Sequence, residues 1–173
     1  MASSILYARF TGFAFELPAI KSCKEVLEAT YQEHQNRIYN LAFYLTDNEM
    51  TAENVSAEVF SRVFAVNMTP SAEVLDKALV GVLGEMMPIG DLSLDVPVSN
   101  ESLNARRNVK RVVLERAVME IPATERLVFL MHDVEGYDHS RIARTLGIST
   151  DESVNGLHQA RLVLRRAVAE IKY

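Results

Sequence analysis

Apolar residues recur at helical spacing through most of the chain. Val26, Leu27, Tyr31, Ile38, Leu41, Ala42 and Leu45 fall three, four or seven apart and predict a helix over 22–45, with a break near His34–Asn36. Thr46-Asp47-Asn48 reads as a turn. A second helix is expected over 51–65, with Thr51 as its start signal and Val55, Val59, Phe60, Val63 and Phe64 on one face. Ser71 then caps a helix over 72–87, with Glu73 favourably placed in its first turn. Val74, Leu75, Ala78, Leu79, Val82, Leu83 and Met86 make that helix apolar on most sides, the pattern of a segment that is buried or meets a partner. Residues 88–100, PIGDLSLDVPVSN, contain two prolines, a glycine and no helical period, and read as a linker.

Four helices are expected beyond the linker, over 102–120, 123–133, 138–146 and 150–171. Ile121-Pro122 starts the second of these, because proline at an early helical position gives up an N–H that has no helical partner anyway. Leu127, Val128, Leu130 and Met131 form its apolar face. Gly136 permits a left-handed turn, Asp138 caps SRIARTLG, and Gly147 ends it. Ile142, Ala143 and Leu146 point inward, Ile148 inserts into the core, and Ser149 or Thr150 caps the last helix. Together these signals predict a tri-helical helix-turn-helix unit. The fold class is therefore all-α: an arm over 1–21, a helical domain over 22–87, a linker over 88–100 and a helix-turn-helix domain over 101–173.

The run IPATERLVFLMHDVEGYDHSRIARTLGIST, followed by LHQARLVLRR, resembles region 4 of bacterial RNA polymerase sigma factors of the extracytoplasmic-function group. These keep only regions 2 and 4, joined by a linker. The stretch TYQEHQNRIYNLAFYLTDNEMTAENVSAEVFSRVF is similar to the start of region 2, where the family carries a pattern like D-A-E-D-L-x-Q-E-x-F. Ala52, Glu53, Glu58 and Phe60 match it, and Asn54 stands for the second Asp. The resemblance implies that Glu53, Asn54, Glu58 and Phe60 bind core RNA polymerase. It also implies that the last helix meets promoter DNA through Thr150, Ser153, Asn155 and His158, with Arg161 and Arg165 further along. Arg161, Arg165 and Arg166 also fit an ordinary basic helix end, and Phe60 also fits the core face it shares with Val63 and Phe64.

Departures from the family pattern are as informative. Where the family has basic and aromatic residues that hold melted promoter DNA, this chain reads SAEVLDKALVGVLGEMMP, with no ring and a single Lys77 against Glu73, Asp76 and Glu85. Stacking of bases needs rings and backbone tracking needs positive charge. His139-Ser140-Arg141 replaces an acidic stretch before Ile142. In the last helix the family's T-V-K-S-R becomes Glu152, Ser153, Val154, Asn155 and Gly156, and Asp151 and Glu152 suit the helix dipole but repel phosphate.

Charge sharpens this picture. The net charge of −5 divides into six Lys or Arg against thirteen Asp or Glu in residues 1–100, and twelve against ten in 101–173. Only the second half is slightly basic, so DNA binding is expected to be weak, since phosphate neutralisation drives such affinity. The single Cys23 excludes an internal disulfide and a cysteine-based metal site. Phe10 to Phe15 is the longest uncharged run between Arg9 and Glu16, too short for a signal peptide or a membrane span. No nucleophile–base spacing, phosphate loop or carboxylate cluster points to an enzyme, a metal or a cofactor.

Two functions remain open. One is a sigma-like initiation protein, cytoplasmic, with core RNA polymerase and promoter DNA as partners. The other is a degenerate sigma-like interaction module with little or no DNA binding, a decoy for an anti-sigma protein or a modifier of polymerase.

Overall fold

The computed structural model describes residues 22–95 and 111–170; the expected arm, the linker's end and the start of the helix placed at 102 lie outside them. Among the described residues the fold is all-helical: α1 (Cys23–Thr46), α2 (Glu49–Phe64), α3 (Ala72–Gly84), α4 (Arg111–Met119), α5 (Ala123–Phe129), α6 (His139–Leu146) and α7 (Thr150–Glu170). No described helix is long and apolar enough to cross a membrane.

Local chemistry sets the helix ends. Ser22 and Glu25 form a capping box at the start of α1. The helix then runs unbroken through His34–Asn36, where a break was expected, because Ile38, Leu41 and Ala42 beyond it are buried in the core. Asp47 closes α1 in the left-handed region (φ 51°). Asn48, not Thr51, caps α2: its Oδ1 accepts the Thr51 N–H at 2.9 Å and hydroxyl at 3.1 Å. Helix α3 begins at the expected Ser71 cap and stops at Gly84, three residues early. After α5 the chain continues as a five-residue π turn, Leu130–Val134, a rare form that lets Tyr137 N–H reach the Met131 carbonyl. Gly136 and Gly147 take positive φ of 73° at the two expected turns.

Helices α1, α2 and α3 pack on one another, and α4, α5 and α6 pack around α7. The two groups do not hang apart on a tether. Their buried side chains form one continuous core, from Ile38, Leu41 and Leu45 across to Leu127, Met131 and Ile142. The seam is built from α1 against α4 and α5, and α3 against α6. The apolar helix expected to be buried or to meet a partner meets its own chain.

Ionic contacts fasten that seam. Asp76 of α3 is fully buried and accepts from Arg37 of α1 and from Arg141 of α6, the latter at 2.7 Å. Arg37 also donates to the Tyr137 hydroxyl at 2.6 Å, and the Arg141 guanidinium lies 3.6 Å above the Tyr137 ring. Burial, and then the Asp76 charge, push the Tyr137 phenol up to about 12. A second clasp is Arg126 of α5. It donates to the Tyr44 carbonyl in the last turn of α1, and to the Met119 carbonyl at the end of α4. Orphan carbonyls at both helix ends thus share one cation.

Candidate nucleic-acid interface

The helix-turn-helix is assembled from α5, its π turn, α6 and α7. Asp138 caps α6 by accepting the Arg141 N–H at 2.7 Å, and its hydrogen bonds to the Ser140 hydroxyl and to that N–H hold its carboxyl below the usual range. Ser149 and Glu152 form a capping box at the start of α7. Glu152 accepts the Ser149 N–H at 2.7 Å, so one of the acids that would repel phosphate is committed to building the helix end.

One face of α7 is buried and the other is exposed. Ser153, Gly156, Leu157, Gln159 and Ala160 face the core, while Thr150, Asp151, Val154, Asn155, His158, Arg161 and Arg165 face out. Five of the six residues expected at DNA, Thr150, Asn155, His158, Arg161 and Arg165, therefore lie on one accessible stripe. The sixth does not. Ser153 is fully buried, its Oγ 2.9 Å from His139 Nδ1, so it supports α6 from behind and cannot reach a base edge. Its place in the heptad puts it opposite Asn155, which a pattern match alone does not reveal.

Arg161 is already engaged. Asp133, at the exposed end of the π turn, accepts from its Nη2 at 2.6 Å and its Nε at 3.0 Å, and His132 Nδ1 lies 2.8 Å from the same carboxylate. Arg161, helped by His132, holds the Asp133 carboxyl below its ordinary value. The His132 and His139 rings stack with centroids 4.6 Å apart. Burial, the neighbouring His132 and Arg161 lower the His139 pKa.

Residues 89–94 lie against this unit. Glu125, fully buried, accepts the Ser93 N–H and the Leu94 N–H, the latter at 2.7 Å. Thr124 Oγ1 accepts the Gly90 N–H at 3.2 Å. Leu92 sits over Gly156 of α7, so closely that a Cβ at that position would come within 2.9 Å of Leu92 Cδ2. The glycine that replaces the family's arginine is the seat of this segment.

The other expected surface lies on α2. Glu53, Asn54 and Glu58 are exposed on one stripe with Met50, which is 67% exposed. Glu58 pairs with Arg62 at 2.7 Å, and Arg62 also holds Glu85 at 2.6 Å. Phe60 is 4% exposed and packs edge-on to Tyr31, with ring centroids 4.8 Å apart. It belongs to the core rather than to a contact surface, because the α2 face it shares with Val63 is the one turned to α1 and α3. Among the described residues no cluster of His, Cys, Asp and Glu could hold a metal.

Reading the sequence alone missed the Arg37–Asp76–Arg141–Tyr137 cluster. A signal existed: Asp76, Leu79 and Leu83 are three and four residues apart, which places a carboxylate on the core stripe. The Glu125 clasp had no comparable signal, since its partners are backbone N–H groups of a distant segment.

Residues 111–164 match the family described as Sigma-70, region 4. A curated relative, the ECF RNA polymerase sigma factor SigE of Mycolicibacterium smegmatis, is 25% identical over 154 residues, or 80% of this chain and 60% of that protein. The chain thus spans about three fifths of that relative's length. A solved structure, the sigma factor RpoE in complex with the anti-sigma factor NepR from Bartonella quintana, superposes with a TM-score of 0.63. Its sequence identity is 12%, over 84% of this chain and 98% of the other, a likeness of fold.

Proposed function

We propose, from the premise that this chain is a sigma-70-like protein of the extracytoplasmic-function type, that it binds core RNA polymerase and contacts promoter DNA through α7. The observation that carries the reading is the α7 stripe. Thr150, Asn155, His158, Arg161 and Arg165 stand on the outer face of the third helix of a helix-turn-helix, the position from which such a helix enters a major groove. Asn155 is suited to paired hydrogen bonds with adenine. Arg161 and Arg165 are suited to phosphates, which fix register without reading sequence. Glu53, Asn54 and Glu58 on the outer face of α2 are the proposed polymerase contact, with Phe60 fixing the helix from behind. The work is recognition and positioning rather than catalysis, in the cytoplasm.

An anti-sigma protein is a further proposed partner, since the fold neighbour was solved with one. A groove of about 540 Å³ between α1 and α4, floored by Tyr39, Phe43 and Tyr44 and rimmed by Asp47, Glu49, Glu115 and Arg116, is a suitable place for that partner to dock.

Run-off transcription with core polymerase and candidate promoter fragments tests the proposal. Specific initiation supports it. Recovery of polymerase in a pull-down with no initiation from any fragment favours the interaction-module reading instead.

A further inference from the structure

Two cations of α6, Arg141 and Arg144, are three residues apart on one face. Two acids of α3, Glu73 and Asp76, are three apart on another. They pair one to one across the seam: Arg141 Nη2 to Asp76 Oδ2 at 2.7 Å, and Arg144 Nε to Glu73 Oε1 at 3.5 Å. Helix α6 is the second of the unit's three helices and precedes the reading helix α7, the position that crosses the phosphate backbone when such a unit docks on a duplex. Helix α3 thus offers two carboxylates to cations that a duplex would meet with two phosphates.

The arrangement is built rather than incidental. Asp76 is fully buried and held from behind by Arg37, and Lys77, then Arg144, lower the Glu73 carboxyl. Both stretches that pair are among those that depart from the family pattern. The place of region 2 that should carry rings and cations carries acids, and the acidic stretch before Ile142 carries Arg141. The first departure works against binding DNA and the second favours it, and the two are complementary to each other.

We propose that α3 is an intramolecular phosphate surrogate: its acids occupy Arg141 and Arg144 in the closed conformation, suppressing DNA binding until α3 and α6 separate. This rests on the reading of α6–α7 as a DNA-binding unit. The segment 89–94, seated on Gly156 and Glu125, fastens the same unit from its other side. Opening exposes two cations at once, so a partner that binds only the separated form converts a weak DNA binder into a stronger one.

The test uses the full chain, a mixed-sequence duplex, fluorescence anisotropy over a range of salt, and small-angle scattering. Glu73 is on the surface, so Glu73→Gln leaves the fold intact, while Glu73→Gln with Asp76→Asn removes both surrogate charges. Each freed cation steepens the slope of log affinity against log salt by about 0.9, so that the fall in affinity between 50 and 200 mM salt becomes about 3.5-fold larger. The double variant also gains radius of gyration. Arg144→Ala in the Glu73→Gln background cancels the gain, and this pair of variants decides the matter even if Asp76→Asn fails to fold. Equal affinity and slope for wild type and Glu73→Gln, or a gain that survives loss of Arg144, overturns the inhibition and leaves DNA reading standing. No binding by any form, with scattering showing that the double variant opens, overturns the DNA reading itself and the inhibition with it.

Discussion

Gly156 offers a quantitative check on how the 89–94 segment meets α7. Alanine in place of glycine inside a helix ordinarily stabilises by about 1 kcal/mol, through the smaller backbone entropy of the unfolded chain and better helix propensity. Here the new Cβ would lie 2.9 Å from Leu92 Cδ2 and 3.8 Å from Val128 Cγ2. Carbon atoms attract best at roughly 3.5–4.0 Å, so Leu92 must shift by several tenths of an ångström. Leu92 is half-buried on a non-helical segment and can rotate outward. Doing so forfeits part of the roughly 1.5–3 kcal/mol available from burying a leucine, on the order of 1 kcal/mol. The two effects cancel, and Gly156→Ala alone leaves stability nearly unchanged. In a Leu92→Ala background nothing opposes the new methyl, and the same substitution stabilises by about 1 kcal/mol. The double-mutant cycle therefore has a coupling energy of about 1 kcal/mol, well above the scatter of independent sites. Urea denaturation followed by helical circular dichroism measures all four forms. Full stabilisation by Gly156→Ala in both backgrounds, with additive energies, refutes the seating of Leu92 on α7.

Asp76→Asn leaves Arg37 and Arg141 without their buried counter-charge and is expected to cost about 3–5 kcal/mol. A shift in the denaturation midpoint worth under about 1 kcal/mol would show that the cluster contributes little. On the outer face of α7, proposed to meet DNA, Arg165→Ala should weaken retardation of every fragment alike and flatten the salt slope by about 0.9, whereas Asn155→Ala should alter preference at a single base pair by about 1–3 kcal/mol. If neither substitution changes retardation, α7 is not the reader. His139 supplies a pH dependence. Its folded pKa is depressed below the ordinary 6.5 by burial and by His132, so the unfolded chain takes up the proton first. The stability this gives is present above about pH 6.5 and is lost as pH falls below it. His139→Gln should flatten stability between about pH 7 and 5, and an unchanged pH profile would assign the loss to other groups.

The acids at the start of α7 resolve into two roles. Glu152 is spent on the capping box, while Asp151 stays exposed beside the outward stripe of α7. The stripe is consequently less cationic at its leading end than further along, where Arg161 and Arg165 stand. Asp133 adds to this by holding Arg161 from the π turn. A duplex approaching α7 must displace that carboxylate, so the salt slope of wild-type binding is expected to be shallow.

Period and caps were legible from the residues alone because both are local. The stripes of Val55, Val59 and Val63, of Leu127 and Met131, and the cap signals at Ser71, Asp138 and Ser149 involve groups within one or two turns, and all stand where the pattern put them. The helix-turn-helix and the outward stripe of α7 follow from the same short-range rules. Ser153 was misplaced for a related reason, and at Phe60 the family pattern pointed to a contact where the period already pointed to the core: a family pattern says that a position matters, but only its angle around the helix, set against the packed neighbours, says which way it faces. What lay beyond the sequence is contact over long separations. Asp76 meets Arg37 and Arg141 across 39 and 65 residues, Arg126 reaches Tyr44 across 82, and Leu92 settles on Gly156. Each such pairing competes with loop-closure entropy and desolvation and is decided by the whole core at once. Composition and periodicity determined seven helices and their inner faces; the tertiary structure alone decided that the two halves close on each other, with an acidic helix set against the cations of the helix-turn-helix unit.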